Sequence, residues 1–207
     1  MIERERKYRI TDEDAARLRS VLAAQAELVA SEIQVNTIFR DRATRLRKGT
    51  YVRVRSIGSR RELTFKGKKT LRGLDKCRLE LTVAVGDGPL VELLATIGLE
   101  PYLTYQKETE IWSVAGAHVS LDRVDGLGRF CEVEAHDEDA DLQAVADLLE
   151  LGRDRFEPRG YPTLAAELVL ARNGSRNEAL PRAPVAVTAE VAKITESPKS
   201  VARRRAR

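Results

Sequence analysis

Apolar and polar residues alternate with a period of two through much of this chain, the pattern of antiparallel strands with one covered face. In Tyr51-Val52-Arg53-Val54-Arg55 valines alternate with arginines, and in Leu63-Thr64-Phe65-Lys66 apolar residues alternate with Thr64 and Lys66. Leucines alternate with Arg78, Glu80 and Thr82 over residues 78–83, and Cys131 and Val133 alternate with Glu132 and Glu134 over residues 130–134. The first nine residues read the same way, with Glu3, Glu5, Lys7 and Arg9 on one face and Ile2, Arg4, Arg6 and Tyr8 on the other. Further strands are expected over 32–39, 102–113 and 117–122. Gly58, Gly67, Ala115-Gly116 and Asp125-Gly126-Leu127-Gly128 supply turns.

Four segments switch to helical spacing. Thr11 or Asp12 can cap a helix whose stripe is Ala15, Leu18, Val21 and Leu22, ending near Ala26. A short helix is expected over 89–97, carried by Leu90, Leu93, Leu94 and Ile97 and closed by Gly98. Leu142, Val145, Ala146 and Leu149 mark a third over 139–151, and Pro162 opens a fourth over 163–171. Residues 40–49 form a polar, basic connection. From Asn173 the composition shifts toward proline and arginine, so 1–172 is expected to be the folded domain and 173–207 a flexible basic tail.

A chain of 207 residues with 43% hydrophobic content can build one domain with a real core. Its 36 Lys+Arg nearly balance 32 Asp+Glu, which argues against a general nucleic-acid binder. Cys77 and Cys131 make neither a disulfide framework nor a zinc motif. No signal-peptide pattern opens the sequence and no apolar run reaches membrane-spanning length, so a cytoplasmic protein without a membrane partner is expected.

The polar strand faces bring two charge sets together. The basic set is Lys7, Arg9, Arg53, Arg55, Lys66, Arg78 and Lys107; the acidic set is Glu3, Glu5, Glu80, Asp122, Glu132 and Glu134. An eight-strand antiparallel sheet could close on itself, with apolar faces outward under helices and charged faces inward. Such a lumen needs partners for its charges. Mg²⁺ or Mn²⁺ suits the carboxylates and phosphates suit the arginine forks. No glycine-rich phosphate loop is present, as expected if side chains do the cradling.

These stretches resemble the CYTH superfamily, the triphosphate tunnel metalloenzymes, which holds class IV adenylyl cyclases, thiamine triphosphatases and inorganic triphosphatases. Glu3-Arg4-Glu5-Arg6-Lys7 matches its ExExK signature, residues 51–55 its paired-arginine strand, and residues 63–67 its lysine strand. Arg78-Leu79-Glu80 is similar to the start of its RxExE strand, and residues 121–134 are most similar to the cyclase-like branch. The chain departs from the pattern at Thr82, where a third carboxylate is expected; at Thr109, where a second cation often follows Lys107; and at Ile38, where many members carry a tyrosine that works with the strand lysine, here Lys66.

The resemblance implies an α+β fold, a closed eight-stranded antiparallel barrel with flanking helices, whose tunnel binds triphosphate and metal. It implies metal ligands Glu3, Glu5, Glu132 and Glu134, completed or supported by Glu80 and Asp122. Phosphate ligands would be Lys7, Arg53, Arg55, Lys66, Arg78 and Lys107, with Lys7 and Lys66 as catalytic residues. The implied activity is a Mg²⁺- or Mn²⁺-dependent one on a triphosphate, most like ATP to cyclic AMP and pyrophosphate. The alternatives are hydrolysis of inorganic triphosphate or thiamine triphosphate, and a non-catalytic triphosphate or polyphosphate binder. The partner is a triphosphate-containing small molecule; a homodimer is left open. Arg9 near a strand end reads as a surface arginine, His118 and His136 as structural, Cys77 and Cys131 as outward-facing and packed, and Trp112 as core.

Overall fold

The computed structural model describes residues 1–41, 46–172 and 185–186. Nine strands belong to the main chain of elements: β1 (Ile2–Ile10), β2 (Glu27–Asp41), β3 (Tyr51–Ile57), β4 (Arg60–Lys66), β5 (Thr70–Arg72), β6 (Asp75–Val85), β7 (Leu99–Val114), β8 (Ala117–Val124) and β9 (Gly128–Ala135). The helices are α1 (Asp12–Gln25), α2 (Leu90–Thr96), α3 (Leu142–Leu148) and α4 (Tyr161–Arg172). Eight strands run in the order β1-β9-β8-β7-β2-β3-β4-β6, all neighbours antiparallel, and β6 pairs back to β1 to close the barrel. β5 folds onto β6 as a short flap outside the ring.

Register follows from charge as well as from turns. Glu3 lies opposite Arg78, Lys7 opposite Glu132, Lys66 opposite Glu80 and Arg55 opposite Glu62. Opposite charges directly across a strand pair favour that alignment, and like charges disfavour it. Two pairs break the rule: Arg123 faces Arg129 at the strand ends, and Glu5 faces Glu134 inside the barrel. Gly58, at φ +56°, makes the two-residue turn from β3 to β4, a conformation that glycine adopts without strain.

Helices cover most of the outer wall. Thr11 caps α1 in a reciprocal arrangement with Asp14, and Leu18 and Leu22 pack with α3 residues Leu142, Val145 and Ala146 over Tyr8, Val119, Cys131 and Val133. Trp112 joins this core, as expected. α4 packs Leu164, Ala165 and Val169 on Ile38, Leu103, Tyr105 and Phe130. α2 seats Leu90 and Leu94 over Phe39, Val52 and Val54.

Several boundaries differ from the sequence reading. β2 starts at Glu27 rather than 32 and β6 at Asp75 rather than 78, because cross-strand pairing extends both beyond their alternating stretches. The expected α2 stripe is half right: Leu93 and Ile97 are exposed, since seven residues present only Leu90 and Leu94 inward. α3 is shorter than expected, with Asp141 capping the amides of Gln143 and Ala144. α4 begins at Tyr161, earlier than expected, which puts that side chain at the tunnel. Coverage of the barrel is also incomplete, because Ile2, Leu79, Leu81 and Val83 are exposed on the outer face.

The stretch read as a tail lies outside the described residues except for Val185–Ala186 (β10), which pairs parallel with Leu103 and Thr104 of β7. Part of the basic connection, residues 42–45, is likewise outside them. A two-residue strand adds little to a closed ring. A chain ending at Arg172 is therefore expected to keep its circular dichroism and bind triphosphate. Loss of binding in that chain would place the C-terminal stretch in the site.

Candidate functional site: a charged tunnel

The inward face of the ring is a polar cavity of about 200 Å³. Glu3, Glu5, Lys7, Arg53, Arg55, Lys66, Arg78, Glu80, Lys107, Glu132 and Glu134 all line it. Of the residues read from the sequence as site residues, Asp122 alone stands behind the wall. It is 1% exposed, binds the Lys107 ammonium at 2.9 and 3.1 Å, and accepts the Tyr161 hydroxyl at 2.6 Å. Arg9 turns away to Glu157 at the strand end.

The carboxylates divide into two groups. Glu3, Glu5 and Glu134 converge, with one oxygen of each lying within 4.8 Å of the others. The other three are engaged by cations: Glu132 by Lys7 at 3.3 Å, Glu80 by Arg53 at 3.4 Å and by Lys66, and Asp122 by Lys107. Burial alone would raise the last two, but Lys66 and Arg53 lower Glu80 and Lys107 lowers Asp122 from their ordinary values.

The converging group is electrostatically unfinished. Burial, then repulsion from Glu3 and Glu5, pushes the Glu134 carboxyl up to about 8. Burial and Glu5 push Glu3 up to about 7, against the pull of Lys66 and Arg78. Glu5 differs: the Lys76 ammonium, with Lys7, Lys66 and Arg78, overcomes its burial and keeps it ionised. Three hard oxygen donors with two raised acids and a like-charge pair across β1–β9 fit a divalent cation.

Cations surround this group, some of them in direct contact with it. Arg78 makes an ion pair with Glu3 at 2.9 Å and donates to the Tyr51 hydroxyl at 3.2 Å. Arg53 donates to Thr64, and Arg55 donates to Asn36 at 2.9 Å. Thr82, where a carboxylate was expected, shares a hydrogen bond with Thr64 at 3.0 Å. Lys7 is 2% exposed, donates to the Arg159 carbonyl at 3.2 Å and lies 3.6 Å from the centre of the Tyr161 ring. Its burial lowers the ammonium to about 8, against the opposing pull of Glu132.

Sequence reading missed four lining residues that matter. Lys76 shares the strand face of Arg78 and would have been found had β6 been started at Asp75. Tyr51 shares the strand parity of Arg53 and Arg55, and Tyr105 that of Lys107, so parity could have placed both on the lumen face. Tyr161 had no local signal, since it reaches the tunnel from the first turn of α4. Ile38, in place of a tyrosine, is buried among the residues under α4. His118 lines the tunnel, half-buried and tilted over His136 at 4.8 Å between ring centres. Cys77 and Cys131 are both buried; Cys131 lies beneath α1 and α3, whereas Cys77 lies outside that cluster.

A larger hollow of about 1220 Å³ adjoins the tunnel and shares Tyr51, Arg78, Gly160 and Pro162 with it. Its wall is apolar, from Ile38, Phe39, Tyr102, Ala166 and Leu170, and its rim carries Arg40, Arg47, Lys48, Lys68 and Lys69.

A closed antiparallel barrel whose lumen is lined by interleaved acidic and basic side chains defines the class of charged-tunnel barrels. The chain belongs to the CYTH domain family, whose description matches residues 1–161. Two Pyrococcus horikoshii OT3 proteins have similar structures. One is 28% identical with a TM-score of 0.63, covering 82% of this chain and 99% of its own. The other is 25% identical with a TM-score of 0.67, covering 78% and 98%. A proposed adenylate cyclase from Vibrio parahaemolyticus shares the fold at 21% identity and a TM-score of 0.64, covering 79% and 97%. None of the curated proteins matches the chain.

Proposed function

We propose that this protein is a divalent-metal-dependent enzyme that takes an organic triphosphate, most like a class IV adenylyl cyclase converting ATP to cyclic AMP and pyrophosphate. The observation that carries this reading is the apolar hollow that adjoins the charged tunnel and shares four wall residues with it. A phosphate chain fits among the tunnel cations, and a nucleoside fits against Tyr102 and Ile38, with Arg78 and Tyr51 at the junction.

Glu3, Glu5 and Glu134 would hold the metal, with Mg²⁺ or Mn²⁺ suiting their oxygens. When bound, it would neutralise charge developing on the phosphates. Arg53, Arg55, Lys66 and Arg78 fix the chain by charge-assisted hydrogen bonds. In cyclisation the ribose 3′-oxygen bonds to the α-phosphorus, the bond to the bridging oxygen breaks, and pyrophosphate leaves; the hydroxyl proton passes to a base. Lys7, held near 8, is placed to hold or move a proton on the tunnel wall.

Hydrolysis is the second reading. It is favoured by the Tyr51, Tyr105 and Tyr161 rings, which bring phenols to the lumen from elements other than β2. It is disfavoured by Ile38, which leaves Lys66 without the strand tyrosine. Incubation with ATP and either metal, with products resolved by chromatography, decides between them. Cyclic AMP and pyrophosphate are expected. Orthophosphate from ATP, triphosphate or thiamine triphosphate would replace the cyclase reading with the hydrolytic one, and binding without turnover would overturn both. Arg53→Ala is expected to leave metal binding intact while weakening ATP affinity about 10- to 100-fold in calorimetry, the effect of losing one charge-assisted hydrogen bond.

A further inference from the structure

β6 has an unusual second edge. On one side, residues 80–85 pair continuously with β4. On the other, β1 pairs only with residues 76–79, and the Glu80 amide donates to the Met1 carbonyl at 3.0 Å. Beyond Glu80, no strand among the described residues pairs with that edge. Peptide groups alternate along a strand, so Thr82 and Ala84 point their N–H and C=O groups the same way as Glu80, away from β4 and toward the unpaired edge. Leu81, Thr82, Val83 and Ala84 are all exposed.

Natural sheets blunt free edges with charges, prolines or bulges, because an unpaired edge templates pairing with another chain. This edge has none of these. Leu81-Thr82-Val83-Ala84-Val85 is uncharged and free of proline, and its pairing with β4 shows no register shift. On the outer face Leu79, Leu81 and Val83 are 39%, 53% and 58% exposed, and Ile2, across from Leu79 in the register, is 64% exposed. Apolar side chains and unmet backbone donors thus occupy the same place.

We propose that this edge is a homodimer interface, in which β6 of one copy pairs antiparallel with β6 of a second about a two-fold axis at Val83. A second copy fits the edge because the edge is complementary to itself. With Val83 facing Val83, Leu81 faces Val85, and Thr82 and Ala84 exchange their edge-facing N–H and C=O groups across the axis. No like charges meet. An isologous contact of this kind closes after two copies, so it does not propagate into a fibre.

The register makes a sharp test possible. Val83 meets its copy as a non-hydrogen-bonded pair, with Cα atoms about 4.5 Å apart, inside the range that a disulfide spans. Thr82 meets Ala84, so two copies of residue 82 are diagonal neighbours roughly 7–8 Å apart, beyond that range. Cys77 and Cys131 are buried and leave the readout clean. Under mild oxidation, V83C is expected to give a covalent dimer and T82C is not. In sedimentation velocity at tens of micromolar, the full chain is expected to be a dimer and V83K a monomer with unchanged circular dichroism. I33K, altering an exposed apolar residue on β2, should stay a dimer. A monomeric full chain, a V83K dimer, or cross-linking of T82C in place of V83C would each overturn the proposal.

Discussion

Glu134→Gln is expected to reduce metal-dependent turnover by roughly two orders of magnitude or more while making the metal-free protein more stable at alkaline pH. Both effects come from one feature. Glu134 lies opposite Glu5 and within reach of Glu3, and its carboxyl is raised from 4.5 to about 8 by burial and by those two charges. A carboxyl whose folded value exceeds its unfolded one costs stability as it ionises, so the cost is absent below about 4.5 and complete above about 8. Glutamine removes the charge and keeps the shape. Although protein crowds the carboxylate, the Glu134 residue is exposed, and solvent screening reduces the gain to about 1 kcal/mol, or about 2–4 °C in Tm. Thermal melts at pH 4 and pH 9, together with a metal titration, check this: no gain at pH 4, a gain at pH 9, and weakened metal binding throughout. Parent-like turnover in Glu134→Gln would show that the acidic cluster is not the metal centre. Glu132→Gln should behave differently, because Glu132 neutralises Lys7 and stands outside that cluster; its metal affinity should stay close to the parent's.

Triphosphate affinity is expected to fall about 10- to 100-fold as pH rises through 8, and Lys7→Arg is expected to abolish that fall. Lys7 is buried against the Tyr161 ring and its ammonium is lowered from 10.5 to about 8. Below about 8 the group is charged and serves the phosphates; above it the charge is lost. The same shift makes the ammonium form costly to the fold below about 8, a cost relieved between about 8 and 10.5. An arginine stays charged across this range. Saturating metal keeps the carboxylate cluster ligated during the titration, so its protons do not contribute. Calorimetry across pH 6.5 to 9.5, a range set around the lowered value, reads the result. A fall at pH 8 that persisted in Lys7→Arg would assign it to another group.

The sequence alone determined which faces of the strands carry charge. A period of two is a local property, so Glu3, Glu5 and Lys7 were placed on one face by parity, as were Arg53 with Arg55 and Glu132 with Glu134. Parity, however, does not say which charges meet. Only strand order and register decided that Glu134 joins Glu3 and Glu5 while Glu132, two residues away, pairs with Lys7. The same holds for Asp122, whose inward parity put it among the metal ligands, though β7 and α4 draw it behind the wall to Lys107 and Tyr161. Lys76 escaped notice because strand extent depends on a neighbour's backbone, and Tyr161 because no pattern in α4 reports what its first turn touches. The uncovered edge of β6 was equally invisible. Its alternation is ordinary, and only the register of β1, whose partners on β6 end at Leu79, leaves it unpaired among the described residues.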